Sequence, residues 1–181
     1  MEENRRRLAT AAGVDAERLS WPRQVHGAAV VRANGRGAEA DAIWTDEPGL
    51  GLVVVTADCL PIALVRTAGP PGLCLVHAGW RGLAEGVVEA AAAALGGPVA
   101  AVVGPGIGPC CYEVGPEVGE RFGERGRTLD LRALAERALK NAGVERVDHA
   151  DLCTACDERR FFSHRRDRGL TGRQGALAYI A

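Results

Sequence analysis

Cys59 and His77 are the residues whose chemistry most constrains this chain. Cys59 stands in Thr56-Ala57-Asp58-Cys59-Leu60-Pro61, and His77 opens His77-Ala78-Gly79-Trp80-Arg81-Gly82. Each motif ends an apolar, β-like run, residues 52–55 for the first and 73–76 for the second. Thiol and imidazole are therefore expected just beyond strand ends, where α/β sheets place their chemistry. If the two strands are neighbours, the groups converge, with room for an intervening strand at 62–66. His26, in Gln24-Val25-His26-Gly27 ahead of the apolar residues 28–31, is the third candidate. Two imidazoles and one thiolate make a tripod with a fourth position open, the arrangement of a catalytic rather than a structural zinc site. Singly, a Cys after a strand is more often a small buried hydrophobe, and a lone His a hydrogen-bonded core or surface residue. The joint case is stronger, because the chain has only 4 histidines and two of them occupy Gly-flanked strand-to-loop junctions.

Other residues cluster around these in sequence. Trp80 offers an aromatic wall and Arg81 a fixed cation, and both precede a helical stripe at 83–95. Arg81 and the first N–H groups of that helix can face an anion such as phosphate, although pairing of Arg81 with an internal carboxylate accounts for it equally well. Asp58 either caps its loop or orients a ligand imidazole, the second being slightly favoured. Asp41 is expected to cap backbone N–H groups. The Gly- and Pro-rich stretch 104–115 lets backbone N–H groups, such as that of Gly106, approach a ligand, yet it matches no Walker or dinucleotide fingerprint. Within it, Cys111 is a candidate substrate contact or second nucleophile, against the usual reading of adjacent cysteines as small buried residues. Glu113 is the acidic residue there suited to proton transfer. Cys153 and Cys156 have zinc-knuckle spacing, but no second Cys/His pair lies at a sequence distance that would complete four ligands.

The set Gln24-Val25-His26-Gly27, Thr56-Ala57-Asp58-Cys59-Leu60-Pro61, His77-Ala78-Gly79-Trp80-Arg81-Gly82, Gly104-Pro105-Gly106-Ile107-Gly108-Pro109-Cys110-Cys111-Tyr112-Glu113-Val114 and Asp151-Leu152-Cys153-Thr154 resembles the laccase-domain family. Its members are described as polyphenol oxidases, purine nucleoside phosphorylases and peptidoglycan editing factors. The resemblance runs over essentially the whole chain, five motifs in the same order. It implies that His26, Cys59 and His77 are metal ligands, with zinc the expected ion and copper claimed for oxidase activity. It also implies a cytotoxic-necrotizing-factor-like cysteine hydrolase fold. Two departures stand out. His164 occupies a position where the family has Tyr, and an N-terminal family segment that helps wall the nucleoside pocket has no counterpart ahead of residues 2–6: either the sequence is a piece of a longer chain, or it is a short form expected to have an opened pocket and weak turnover.

Composition sets the outer bounds. A chain of 181 residues with 47% hydrophobic content can bury about 70% of its unfolded surface as one domain, here 1–181. Charge is balanced, 22 basic against 23 acidic residues, so no electrostatic footprint for nucleic acid or an anionic membrane is expected. The N-terminus carries charges and only a short apolar stretch, which argues against a secretory signal and for a cytoplasmic protein. In that compartment the 6 cysteines read as thiols.

The elements that must position the site follow from periodicity. Helices are expected at 2–12, 83–95, 116–122 and 129–142. Strands are expected at 24–26 with 28–33, 40–45, 50–56, 62–66, 99–103, 144–150 and 175–180, and Asn34-Gly35-Arg36-Gly37 reads as a turn. Short buried strands alternating with helical patterns give an α/β fold, one mixed central sheet flanked by helices in α/β/α layers.

Three functions compete. The resemblance favours a zinc-dependent purine nucleoside phosphorylase, acting on adenosine, inosine, guanosine or methylthioadenosine with phosphate, with adenosine deamination as a second activity. A metal-free Cys59–His77 amidase editing peptidoglycan precursors is the alternative enzyme. The third is a non-enzymatic scaffold. A copper oxidase ranks lowest, since the chain lacks the clustered His-x-His pairs of a trinuclear centre. The chain is expected to act as a monomer or homodimer.

Overall fold

In the computed structural model, which describes residues 2–33 and 36–181, the strands divide between two mixed sheets. The first, in the order β10-β5-β1-β3, uses β1 (Leu19–Arg23), β3 (Arg36–Glu39), β5 (Gly51–Thr56) and β10 (Gln174–Ala178). The second, in the order β2-β4-β7-β6-β8-β9, uses β2 (Val30–Arg32), β4 (Ala42–Thr45), β6 (Leu60–Arg66), β7 (Leu73–Ala78), β8 (Val99–Val103) and β9 (Arg146–His149). Helices α1 (Glu2–Ala12), α2 (Trp80–Glu85), α3 (Val87–Leu95), α4 (Pro116–Glu120) and α5 (Leu131–Asn141) complete the described elements.

The mixed α/β class with flanking helices is as expected, but the central layer is double. Ile43, Leu52, Val54, Leu73 and Leu75 form a core between the two sheets, while Ala9, Val14, Leu19 and Val53 form another beneath α1. The largest core lies on the far side of the second sheet, where Val87, Val88, Ala91 and Leu95 of α3 meet Leu134, Ala135 and Leu139 of α5. The layers therefore run α/β/β/α rather than α/β/α. Double coverage explains why all six residues of β7 are buried and read as a continuous apolar run. Each fully buried Val or Leu in these layers is worth roughly 1.5–3 kcal/mol relative to exposure.

Three local differences bear on the site. The expected strand at 24–26 is a loop, and the strand before it already begins at Leu19. The expected helix at 83–95 starts earlier, at Trp80, and is split by Gly86, which adopts φ +84° and donates its N–H to the carbonyls of Gly82 and Leu83. That left-handed cap ends α2 and lets α3 start in a new direction. The turn at 34–37 falls partly on Asn34 and Gly35, outside the described residues. No helix among the described residues is long and apolar enough to cross a membrane.

Candidate functional site

The strands that end at Thr56 and Ala78 do not meet the condition of being neighbours; they belong to different sheets. Cys59 reaches His77 by another route. β6 pairs antiparallel with β7, matching Leu60 to Ala78 and Pro61 to His77, so the residue just ahead of β6 lies beside the end of β7. His26 arrives from the first sheet, where β1 and β5 run parallel and release their chains at the same edge. The Gln24 amide extends that pairing: its Nε2 donates to the Val55 carbonyl and its Oε1 accepts the Val55 N–H, each at 2.8 Å. The site thus sits where the ends of two stacked sheets meet.

The potential ligand atoms of His26, Cys59 and His77 lie within 4.8 Å of one another. The two imidazole centroids are 4.8 Å apart and nearly perpendicular, at 81°. Gly79 makes the approach possible, because a Cβ there would stand 2.9 Å from Cys59 Sγ and 3.5 Å from His26 Cδ2. Among the described residues, four non-glycine residues have positive φ, and two of them are here, His26 at 63° and Asp58 at 94°. Such backbone costs of order 1–3 kcal/mol each and persists only where surrounding bonds over-determine it.

Asp41 supplies those bonds for His26. The carboxylate accepts the N–H groups of Val25 (3.1 Å), His26 (3.0 Å) and Gly27 (2.8 Å), and the same Oδ1 meets His77 Nδ1 at 2.7 Å. It caps backbone, as expected, and it also holds the imidazole that the sequence had given to Asp58. Nδ1 faces Asp41, which leaves Nε2 towards the thiol. Asp58 is turned elsewhere: Oδ1 accepts from Thr154 Oγ1 and Oδ2 from the Arg165 N–H, both at 2.7 Å, while its carbonyl accepts the Ile107 N–H. Asp58 clasps loops rather than an imidazole.

Electrostatics follows from this packing. Burial acts to raise the Cys59 thiol, but hydrogen bonds and charge from His26 and His77 outweigh it and bring it from 9.0 down to about 7. Burial acts to lower His77, and the Asp41 carboxylate with the Cys59 sulfur overrides it, raising the imidazole to about 9. Asp41 itself stays below the usual carboxylate range despite burial, because His77 and three backbone N–H groups favour its ionised form. One thiolate and two imidazoles form a donor set suited to zinc or copper.

A cleft of about 480 Å³ opens from this cluster, lined in part by Gln24, Thr56, Trp80, Arg81, Tyr112 and Arg165. Arg81 lies over the Trp80 ring at 4.8 Å and makes no ion pair among the described residues. Arg165, over the Tyr112 ring at 5.0 Å, and Arg173 add cationic wall, and His164 lines the same cleft. The tail that carries them is pinned by Asp167, which pairs with Arg166 and accepts from Thr171 Oγ1 at 2.8 Å. The sequence did not nominate Gln24, Tyr112, Arg165 or Arg173 for the site, although Gln24 and Tyr112 lay within quoted motifs.

Three nominated residues lie off the cleft wall. Gly106 is buried against Leu60, where a Cβ would come within 2.5 Å of Leu60 Cδ2, and its N–H is taken by the Leu152 carbonyl. Glu113 is exposed, and it is its carbonyl that accepts from Arg165 Nη1. Cys111 points to Cys156, with 3.4 Å between sulfurs. The expectation that Cys153 and Cys156 lack a second pair is corrected: Cys110 and Cys111 are that pair, and all four sulfurs lie within 4.8 Å of one another.

Two stacked mixed sheets with a His/Cys/His cluster at their common edge define the architecture and candidate site of this chain. The chain belongs to the multi-copper polyphenol oxidoreductase laccase family, whose model matches residues 1–181. It is 41% identical to a purine nucleoside phosphorylase of Xylella fastidiosa, over 99% of this chain and 78% of that protein. It is 36% identical to the purine nucleoside phosphorylase YfiH of Escherichia coli, over 99% and 81%. Among solved structures, YlmD from Geobacillus stearothermophilus superposes with a TM-score of 0.89 at 32% identity, covering 99% of this chain and 80% of that one.

Proposed function

We propose that this chain is a zinc-dependent purine nucleoside phosphorylase that also deaminates adenosine. The observation that carries the reading is the pairing, within one cleft, of a three-donor thiol–imidazole cluster with the cationic side chains of Arg81, Arg165 and Arg173. Relatives named purine nucleoside phosphorylase support it. His26, Cys59 and His77 would hold the zinc, which would supply Lewis-acid chemistry beside the substrate. The protein's own groups do the rest. Arg81 and Arg165 hold phosphate as charge partners, each carried over an aromatic ring that lines the cleft, Trp80 and Tyr112. Asp41 fixes the His77 ring so that Nε2 faces the centre.

The test is phosphate-dependent release of base from inosine and of ammonia from adenosine, before chelation, after it, and after zinc is restored. Loss and recovery of both rates are expected. Absence of phosphate-dependent cleavage in the zinc-loaded chain overturns the phosphorylase reading.

A second reading has its own observation. Cys59, His77 and Asp41 stand in the order nucleophile, base and orienting carboxylate, with the thiol lowered to about 7. In this reading the chain is a metal-free amidase, and it predicts hydrolysis of a peptidoglycan-precursor amide that survives complete chelation.

A further inference from the structure

The loops that leave β8 and β9 meet beside the cleft. These strands are parallel neighbours, so both chains exit at the same edge, and the contact continues beyond the sheet. Gly106 and Cys153 form an isolated parallel bridge, with the Gly106 N–H on the Leu152 carbonyl at 3.3 Å and the Thr154 N–H on the Gly106 carbonyl at 3.1 Å. This zipper brings together Cys110-Cys111 and Cys153-Thr154-Ala155-Cys156. The Sγ atoms of Cys110 lie 3.8 Å from Cys153 and 3.6 Å from Cys156, and Cys111 lies 3.4 Å from Cys156.

Those separations decide between the uses of four thiols. A disulfide needs about 2.05 Å between sulfurs. Four sulfurs bound tetrahedrally at about 2.3 Å to one zinc stand about 3.8 Å apart. We propose that Cys110, Cys111, Cys153 and Cys156 form a second, closed metal site that holds zinc as four thiolates. Two features of the surroundings suit an anionic metal–thiolate unit. The Gly108 N–H donates to Cys153 Sγ at 3.2 Å. The Arg132 guanidinium lies alongside: a Cβ on Gly108 would meet Cys110 Sγ at 3.3 Å and Arg132 Nη2 at 3.4 Å. Arg132 Nε is buried and has no hydrogen-bond partner among the described residues, while Arg132 Nη1 pairs with Asp151 at 3.5 Å, so one donor of this nearby cation is unspent.

With no position left open, this ion is structural, and what it fixes is the wall of the cleft. Thr154, between two of the thiols, donates to Asp58, the residue before Cys59, and Tyr112, next to Cys111, lines the cleft. Zinc here clamps residues 104–115 to residues 151–157 and, through Thr154, steadies the strained backbone at Asp58.

The experiment is metal analysis of the full chain purified without added metal. About two zinc ions per chain are expected. Cys153→Ser/Cys156→Ser should halve the content, and His26→Ala/His77→Ala should halve it independently. Should the cysteine variant fail to fold, the His26→Ala/His77→Ala chain, which keeps all four thiols, is stripped and titrated with cobalt. The visible absorption of tetrahedral tetrathiolate cobalt is then expected, and its absence overturns the site. Zinc lost entirely with His26→Ala/His77→Ala, or recovery of the four cysteines as disulfides, overturns it as well. Neither readout depends on phosphorylase activity.

Discussion

The two sulfur clusters of this chain differ in how many donors they gather and in what holds the donors apart. At the His26/Cys59/His77 cluster the ligands come from three strand ends of two sheets, and each is fixed before any ion arrives: His77 by Asp41, the His26 backbone by Asp41, the Cys59 loop by Thr154, Ile107 and Arg165 through Asp58. At the four-cysteine cluster the ligands come from two loops, with Cys110 and Cys156 exposed to solvent. Few side-chain bonds hold those loops beyond the Gly106–Cys153 zipper. On the proposals above, three preorganised donors would leave a coordination position for substrate, while four donors on loops would close the shell and hold the loops together.

The sharpest way to break this comparison is to remove a ligand from each cluster and compare turnover. Metal-assisted steps draw several kcal/mol from the ion, so Cys59→Ala should lower phosphorolysis by about a thousandfold while leaving zinc at the four cysteines. Cys153→Ser should lower turnover far less, acting through the cleft wall. Equal losses in steady-state assays would erase the division between a working site and a structural one.

Asp41 tests whether preorganisation is real. Asp41→Asn keeps the shape but weakens the hold on His77 Nδ1 and on three backbone N–H groups. Zinc affinity at the open site should fall about 10- to 100-fold in a chelator competition, with affinity at the four-cysteine site unchanged. Unchanged affinity at both would leave Asp41 as a backbone cap alone.

A smaller effect is expected at Arg81, which has no ion-pair partner to lose among the described residues. Arg81→Ala should raise the KM for phosphate by about tenfold with kcat nearly kept, the worth of one charge-assisted hydrogen bond. A loss confined to kcat would place Arg81 at the reacting centre instead.

The smallest signal is a pH shift in the metal-free chain. The Cys59 thiol is lowered to about 7, so its alkylation, followed by peptide mass mapping, should rise through pH 7. His77→Ala removes a hydrogen bond and a charge that favour the thiolate, so the midpoint should move up towards the ordinary 9.0. A midpoint that stays put would mean that His26 alone sustains the thiolate.

The sequence by itself singled out the thiol and the two imidazoles that the structure brings together, and most of the elements. The apolar run at residues 73–76 read as β-like, and it lies within β7, every residue of which is buried. The helix at 2–12 was equally legible from its period and its terminal glycine. Tertiary structure decided which of these pieces meet. Pairing of β6 with β7, rather than adjacency of β5 and β7, carries Cys59 to His77, because strand partnership is a long-range choice that local pattern does not encode. The split at Gly86 depends on a left-handed φ that a helical stripe conceals. Asp41, 36 residues before His77, orients it only because β4 and β7 pair. Likewise Cys110-Cys111 and Cys153-x-x-Cys156 are remote in sequence and look like two incomplete motifs. The parallel exit of β8 and β9 makes them one four-thiol cluster, since ligand geometry depends on distances in space and the chain's order leaves those free until the sheet is assembled.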